Sequence, residues 1–191
     1  MWPEDVHPGL KKLFEGLATA DIVTLTRNFQ TQPFHKNKHL ARQGEPDAKE
    51  HVILSGKAVS LIGDAEGREI CVALHVGPCV VTPNLARTAD GDSLVSLRTE
   101  TSGRAASFAA AELLELMRGS PRIESWANSV LRGELARKTS REWSLAALSA
   151  KERLDWFRRL YPRHETLFTH VLIASFLGMT PVTLSRLRNA E

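Results

Sequence analysis

Residues 170–188 constrain this chain most, because their types and spacing fit one local geometry. Ile173, Leu177, Met179, Leu184 and Leu187 recur so that two short helices would bury them against each other. Ala174 is small where the second helix comes close. Gly178 stands between the helices, where a positive φ would suit a residue without a Cβ. Thr180 is a good N-cap, and Pro181 suits the first helical position, where its missing N–H costs nothing. The pattern predicts a helix-turn-helix, a device that lays its second helix in the major groove of DNA. That helix would present Thr180, Val182, Thr183, Ser185, Arg186 and Arg188, which offer hydroxyls and arginine forks for phosphates and base edges. Spacing alone also fits an αα-hairpin that only packs.

The charge distribution bears on that choice. The 191 residues carry a formal net charge of +3. Residues 119–191 hold 12 Lys and Arg against 7 Asp and Glu, and the preceding residues 13 against 15. The basic charge therefore sits with the helix-turn-helix, as a polyanion partner would require, although solvated helix faces would show the same bias.

Other chemistries find little support. Cys71 and Cys79 are the only cysteines, too few for a four-thiolate metal or iron–sulfur centre. His35, His39, His51, His75, His164 and His170 are scattered without a ligand spacing, so no metal is expected. No nucleophile–base grouping points to an enzyme. Met1-Trp2-Pro3-Glu4-Asp5 is neither basic nor apolar, and no apolar run approaches the ~20 residues of a membrane span. The expected location is cytoplasmic, with no membrane partner.

Along the chain the hydrophobic period changes twice. Leu10, Leu13, Phe14, Leu17, Ile22, Val23 and Leu25 predict two short helices over 9–28. From Phe29, short β-rich runs alternate with Gly, Asp and Pro, as in 51–54, 58–62, 70–76 and 93–99. An antiparallel sandwich or roll follows. Helical spacing returns over 111–117, and a long helix begins near Ile123 and runs past Arg141. Ile123, Ala127, Val130, Leu131, Glu134 and Lys138 mark one face of it. That face fits a two-stranded seam between copies or a helix packed on its own domain. Ser149-Ala150-Lys151-Glu152 is a capping box for a helix carrying Leu154, Trp156, Phe157 and Leu160.

Three stretches together resemble the cyclic-AMP receptor protein / fumarate-nitrate regulator (Crp/Fnr) family of bacterial transcription factors. They are Arg42-Gln43-Gly44-Glu45-Pro46 with Val52-Ile53-Leu54-Ser55-Gly56-Lys57, then residues 148–154 leading to Tyr161-Pro162, and the helix-turn-helix itself. The similarity runs through nearly the whole chain in the family's order. It implies an α+β chain: an N-terminal antiparallel β-roll of the cyclic-nucleotide-binding jelly-roll kind over 1–119, a dimerisation helix and hinge over 120–146, and an all-α helix-turn-helix domain over 147–191. It also implies that the long helix is a dimer seam. The expected partners are double-stranded DNA, a second copy of the chain and RNA polymerase.

The sequence departs from the family in its effector pocket. Val81-Thr82 stands where Gly-Glu would bind a ribose, and Asp92-Ser93-Leu94 where Arg-Ser-Ala would pair a cyclic phosphate. An aspartate there repels a phosphate, and Arg87, Arg98 and Arg104 are the cations left to replace it. Cyclic AMP is therefore not the expected effector; the pocket of Val81, Thr82, Arg87, Asp92 and Ser93 takes another small molecule or has become scaffold. Haem or thiol sensing would fall to Cys71, Cys79 and His75, which read better as core. Val182 replaces the recognition glutamate common in the family, so base preference should differ, while Arg186 keeps the guanine-reading position and Arg188 suits a phosphate. With only Asn189-Ala190-Glu191 beyond that helix, a reduced or absent wing is expected. The competing expectation is a ligand-binding or protein-docking module that no longer reads DNA.

Overall fold

The computed structural model describes residues 13–190. The start of the expected first helix, over 9–12, lies outside the described residues, as do the opening five residues and Glu191. After α1 (Thr19–Thr26) come β1 (Gln30–Phe34), β2 (His39–Ala41), β3 (Lys49–Ser55), β4 (Lys57–Gly63), β5 (Glu69–Val76) and β6 (Cys79–Val80). A one-turn helix α2 (Asn84–Arg87) leads to β7 (Thr88–Ala89), β8 (Asp92–Ser93), β9 (Ser96–Thr99) and β10 (Gly103–Ala109). The helices α3 (Ala110–Gly119), α4 (Pro121–Ala147), α5 (Ala150–Leu160), α6 (His164–Leu167), α7 (His170–Phe176) and α8 (Pro181–Asn189) complete the order.

The strands form the expected antiparallel roll, with sheets β1-β10-β3-β6 and β2-β9-β4-β5 and a small β7-β8 ribbon. The turn between β3 and β4 needs Gly56: its φ is +86°, and a Cβ would lie 2.7 Å from the Ser102 carbonyl oxygen. Phe34, Ile53, Ala58, Val81, Leu97 and Ala105 fill the roll interior.

The β4–β5 pair is covered on both sides, which explains its nearly continuous apolar runs. Ala58 pairs with His75 and Ser60 with Ala73 on one face. Val59 pairs with Leu74 and Leu61 with Cys71 on the other, and these four share a core with Leu154, Phe157, Ile173 and Leu177 of the C-terminal helices. The roll and the helix-turn-helix are thus joined by a common hydrophobic core as well as by α4.

α4 is 27 residues long, about 40 Å at the usual helical rise. Ser120 caps its start by accepting from Ile123 N–H, and Pro121 occupies its first turn. It ends before Ser149, whose side chain forms the expected capping box with Glu152.

Candidate nucleic-acid interface

α7 and α8 are bent by 102° at their break, within the helix-turn-helix range. The break is a Schellman turn: Met179 N–H donates to Ala174 O at 3.0 Å and Gly178 N–H to Ser175 O at 3.1 Å. Gly178 has φ +62°, and a Cβ on it would lie 2.7 Å from Leu145 Cδ2 at the end of α4. Thr180 Oγ1 then accepts from Thr183 N–H at 3.1 Å, with Pro181 in the first turn. Ile173, Leu177 and Leu184 are buried, and Met179 and Leu187 pack against that core. These are the five residues whose spacing predicted the motif.

The other side of α8 faces outward. Val182 is 59% exposed, and Ser185 and Arg186 are exposed as well. Arg186 has no side-chain partner among the described residues. Thr183 is half-buried, and its hydroxyl lies 2.9 Å from that of Thr180. Arg188 is turned inward: Nε donates to Glu165 Oε1 at 2.8 Å and Nη1 to His170 Nδ1 at 2.9 Å. His170 Nε2 lies 2.6 Å from Pro181 O. A carbonyl only accepts, so the ring carries its proton on Nε2 and offers Nδ1 to Arg188. Glu165 also takes Arg158. This network orients α8 and would have to open for Arg188 to reach a phosphate.

The face of α4 marked in the sequence turns largely toward its own chain. Ile123 is buried among Phe14, Ile22 and Leu25. Glu134 is buried and accepts from Thr82 Oγ1 at 2.6 Å and Arg137 Nε at 3.1 Å. Lys138 donates to Ala86 O at 2.9 Å. Ala127, Val130 and Leu131 are half-buried. Leu135 at 51% and Trp143 at 54% are the large apolar residues of α4 left exposed. In the sequence Leu135 only borders the marked face and Trp143 lies off it, because spacing cannot tell which side of an amphipathic helix its own domain covers.

The expected effector residues lie near one another but do not all line one cavity. Val81 belongs to the roll core, Ser93 is buried with its hydroxyl on Val95 O at 2.8 Å, and Asp92 is exposed in the β7-β8 ribbon. Thr82 and Arg87 do border a cavity of about 1040 Å³ between β4–β5, α4 and the C-terminal helices. Arg87 is spent within the fold: it pairs with Asp47 at 3.0 Å and Glu50 at 3.7 Å, and donates to Thr82 O at 2.7 Å and to Lys49 O. Burial pushes the Asp47 carboxyl up, but His51 and Arg87 outweigh it and hold the group far below the usual carboxylate range. His75 Nε2 lies 2.9 Å from Ser60 Oγ on the cavity wall, and burial pulls its pKa down to about 4. Burial also pushes the thiols of Cys71 and Cys79 up to about 12, so neither is a thiolate at neutral pH.

No family model and no curated protein matches the chain. Solved structures do. FixK2 from Bradyrhizobium japonicum superposes with a TM-score of 0.75 at 16% identity, covering 85% of this chain and 83% of that one. The c-di-GMP-responsive global regulator CLP of Xanthomonas campestris gives 0.73 at 18%, covering 91% of each. The chain has the Crp/Fnr fold. A CooA variant from Carboxydothermus hydrogenoformans, at 0.73 and 16%, covers 95% of this chain and 82% of its own. Within that Crp/Fnr fold, roll, long helix and helix-turn-helix follow in the order implied by the sequence resemblance. No single helix among the described residues is long and apolar enough to cross a membrane.

Proposed function

We propose that this chain is a sequence-specific, DNA-binding transcription regulator and not an enzyme. The observation that carries this reading is the outward face of α8, where Val182, Ser185 and Arg186, the last without a side-chain partner among the described residues, project from a capped and internally braced helix. Arg186 supplies a bidentate fork for guanine, Ser185 a hydroxyl, and Val182 an apolar contact for a thymine methyl. Arg188 is a positioning residue in this reading.

The regulator acts as a homodimer. Leu131, Leu135 and Trp143 offer α4 an apolar strip that a second copy would cover, and two α8 helices would then enter successive major grooves about 34 Å apart. RNA polymerase is the further partner at a promoter, and the cytoplasm is where both partners are met. A small molecule other than cyclic AMP gates the dimer, since Arg87 already has Asp47 and Glu50 as counter-charges. Such a ligand must bind competent and incompetent arrangements differently.

Selection of duplexes from a random library tests the reading. Enrichment of a near-palindrome with half-sites about one helical turn apart supports it. Recovery of no preferred sequence contradicts it and favours a module that has stopped reading DNA.

A further inference from the structure

Val130, Gly133, Glu134, Arg137, Arg141 and Leu145 recur every three or four residues along α4 and line the 1040 Å³ cavity. The opposite wall is mostly apolar, with Val72, Ala73, Leu74 and Val76 of β5 beside the Ser60–His75 pair, and Tyr161, His164 and Phe176 close the side toward the helix-turn-helix. One lining cation stands apart. Arg87 has Asp47 and Glu50, and Arg137 has Glu134. Lys138 is exposed and Glu142 is exposed. Arg141 is half-buried and has no carboxylate among the described residues. Its Nε donates to Phe176 O at 3.1 Å and Nη2 to Cys71 O at 3.2 Å, and the guanidinium lies 4.8 Å from the centre of the Phe176 ring. Nη1 has no protein partner among the described residues, and burial lowers the pKa of the group by more than the nearby Cys71 and Tyr161 raise it.

A largely desolvated cation with a spare donor, at the wall of a mostly apolar cavity, suits an anion with an apolar body. We propose that this junction cavity binds an amphipathic organic carboxylate, whose head group pairs with Nη1 of Arg141 while its body lies along β5. The same guanidinium holds Cys71 O of the roll and Phe176 O of the helix-turn-helix. The bound carboxylate therefore fixes the contact between the two domains directly, through α4. This deepens the effector reading above, but it is tested without DNA, so the two can fail separately.

The experiment uses dodecanoate and dodecanol, which share a tail and differ in charge, in calorimetric titrations of the full chain. The expected result is saturable dodecanoate binding, at least tenfold tighter than dodecanol. Arg141→Gln should weaken dodecanoate by roughly 10- to 100-fold, the loss of one charge-assisted contact, and leave dodecanol unchanged. Gly133→Leu provides a check independent of the Arg141 contacts. A Cβ at Gly133 meets only Arg137 Nη1, at 3.8 Å, and leucine is the better helix former, so the variant folds and blocks both ligands. Equal binding of acid and alcohol, undiminished dodecanoate binding by Arg141→Gln, or undiminished binding by Gly133→Leu would each overturn the proposal.

Discussion

Glu165 accepts a hydrogen bond from Arg188 Nε at 2.8 Å, which fastens the second helix of the helix-turn-helix to the segment that precedes the first. Both side chains are partly exposed, so the pair is screened and contributes little to global stability. Its importance is orientation. Glu165→Gln should lower stability by less than about 1 kcal/mol, yet raise amide exchange across α8 and weaken binding to the selected DNA site. Hydrogen exchange with unchanged far-UV circular dichroism checks this; α8 protection equal to the parent's would contradict it.

The turn is a second point of strain if altered. Gly178→Ala would place a side chain at φ +62° and 2.7 Å from Leu145 Cδ2. The left-handed conformation alone costs about 1–2 kcal/mol. The expected result is a loss of at least about 1 kcal/mol in denaturant unfolding, with no such loss from Gly133→Ala, whose helix position is open.

Arg87 is 1% exposed, with Asp47 at 3.0 Å as the nearer of its two counter-charges and Glu50 at 3.7 Å as the other. Asp47→Ala leaves the buried cation with the more distant carboxylate alone, which costs up to about 3–5 kcal/mol. The variant should unfold far below the parent temperature. A melting curve that overlays the parent's would show that Arg87 draws its compensation from elsewhere.

The Thr82–Glu134 contact gives a pH dependence. Burial alone would raise the Glu134 carboxyl, but the Thr82 hydroxyl and Arg137 outweigh it and hold it below its ordinary value of 4.5. A depressed folded pKa contributes stability that is present above the unfolded value and lost as pH falls through the folded one. The stability gap between the parent and Glu134→Gln should therefore be constant near neutrality and shrink below about pH 4.5. Denaturant titrations at stepped pH measure it; a gap that widens on acidification would contradict the assignment.

The parts of this molecule differ in how far the chain announces them. The helix-turn-helix is legible because its determinants are local: Gly178, Thr180 and Pro181 act within one turn, and Ile173, Leu177 and Leu184 meet across it. The capping box at Ser149 and Glu152 is legible for the same reason. The roll follows from punctuated β-rich runs, but β4 and β5 do not reveal which helices will cover their second face. The site between domains was not legible. Arg141 and Cys71 are 70 residues apart, and nothing in spacing says that the arginine will lie over Phe176 without a carboxylate. For Arg188 the residue type suits a phosphate, but its pairing with Glu165 and His170 joins residues 23 and 18 positions apart and is not written in the local spacing.

The most direct measurement of the central claim is fluorescence anisotropy of the selected duplex and a scrambled one, with the parent and Arg186→Ala. Arg186 is exposed and has no side-chain partner among the described residues, so its removal should leave the fold intact. Binding to the selected site should weaken by about 5- to 150-fold, the worth of one bidentate base contact at 1–3 kcal/mol, with little change on the scrambled duplex. Equal binding of the selected duplex by parent and variant would show that α8 does not read DNA through this residue.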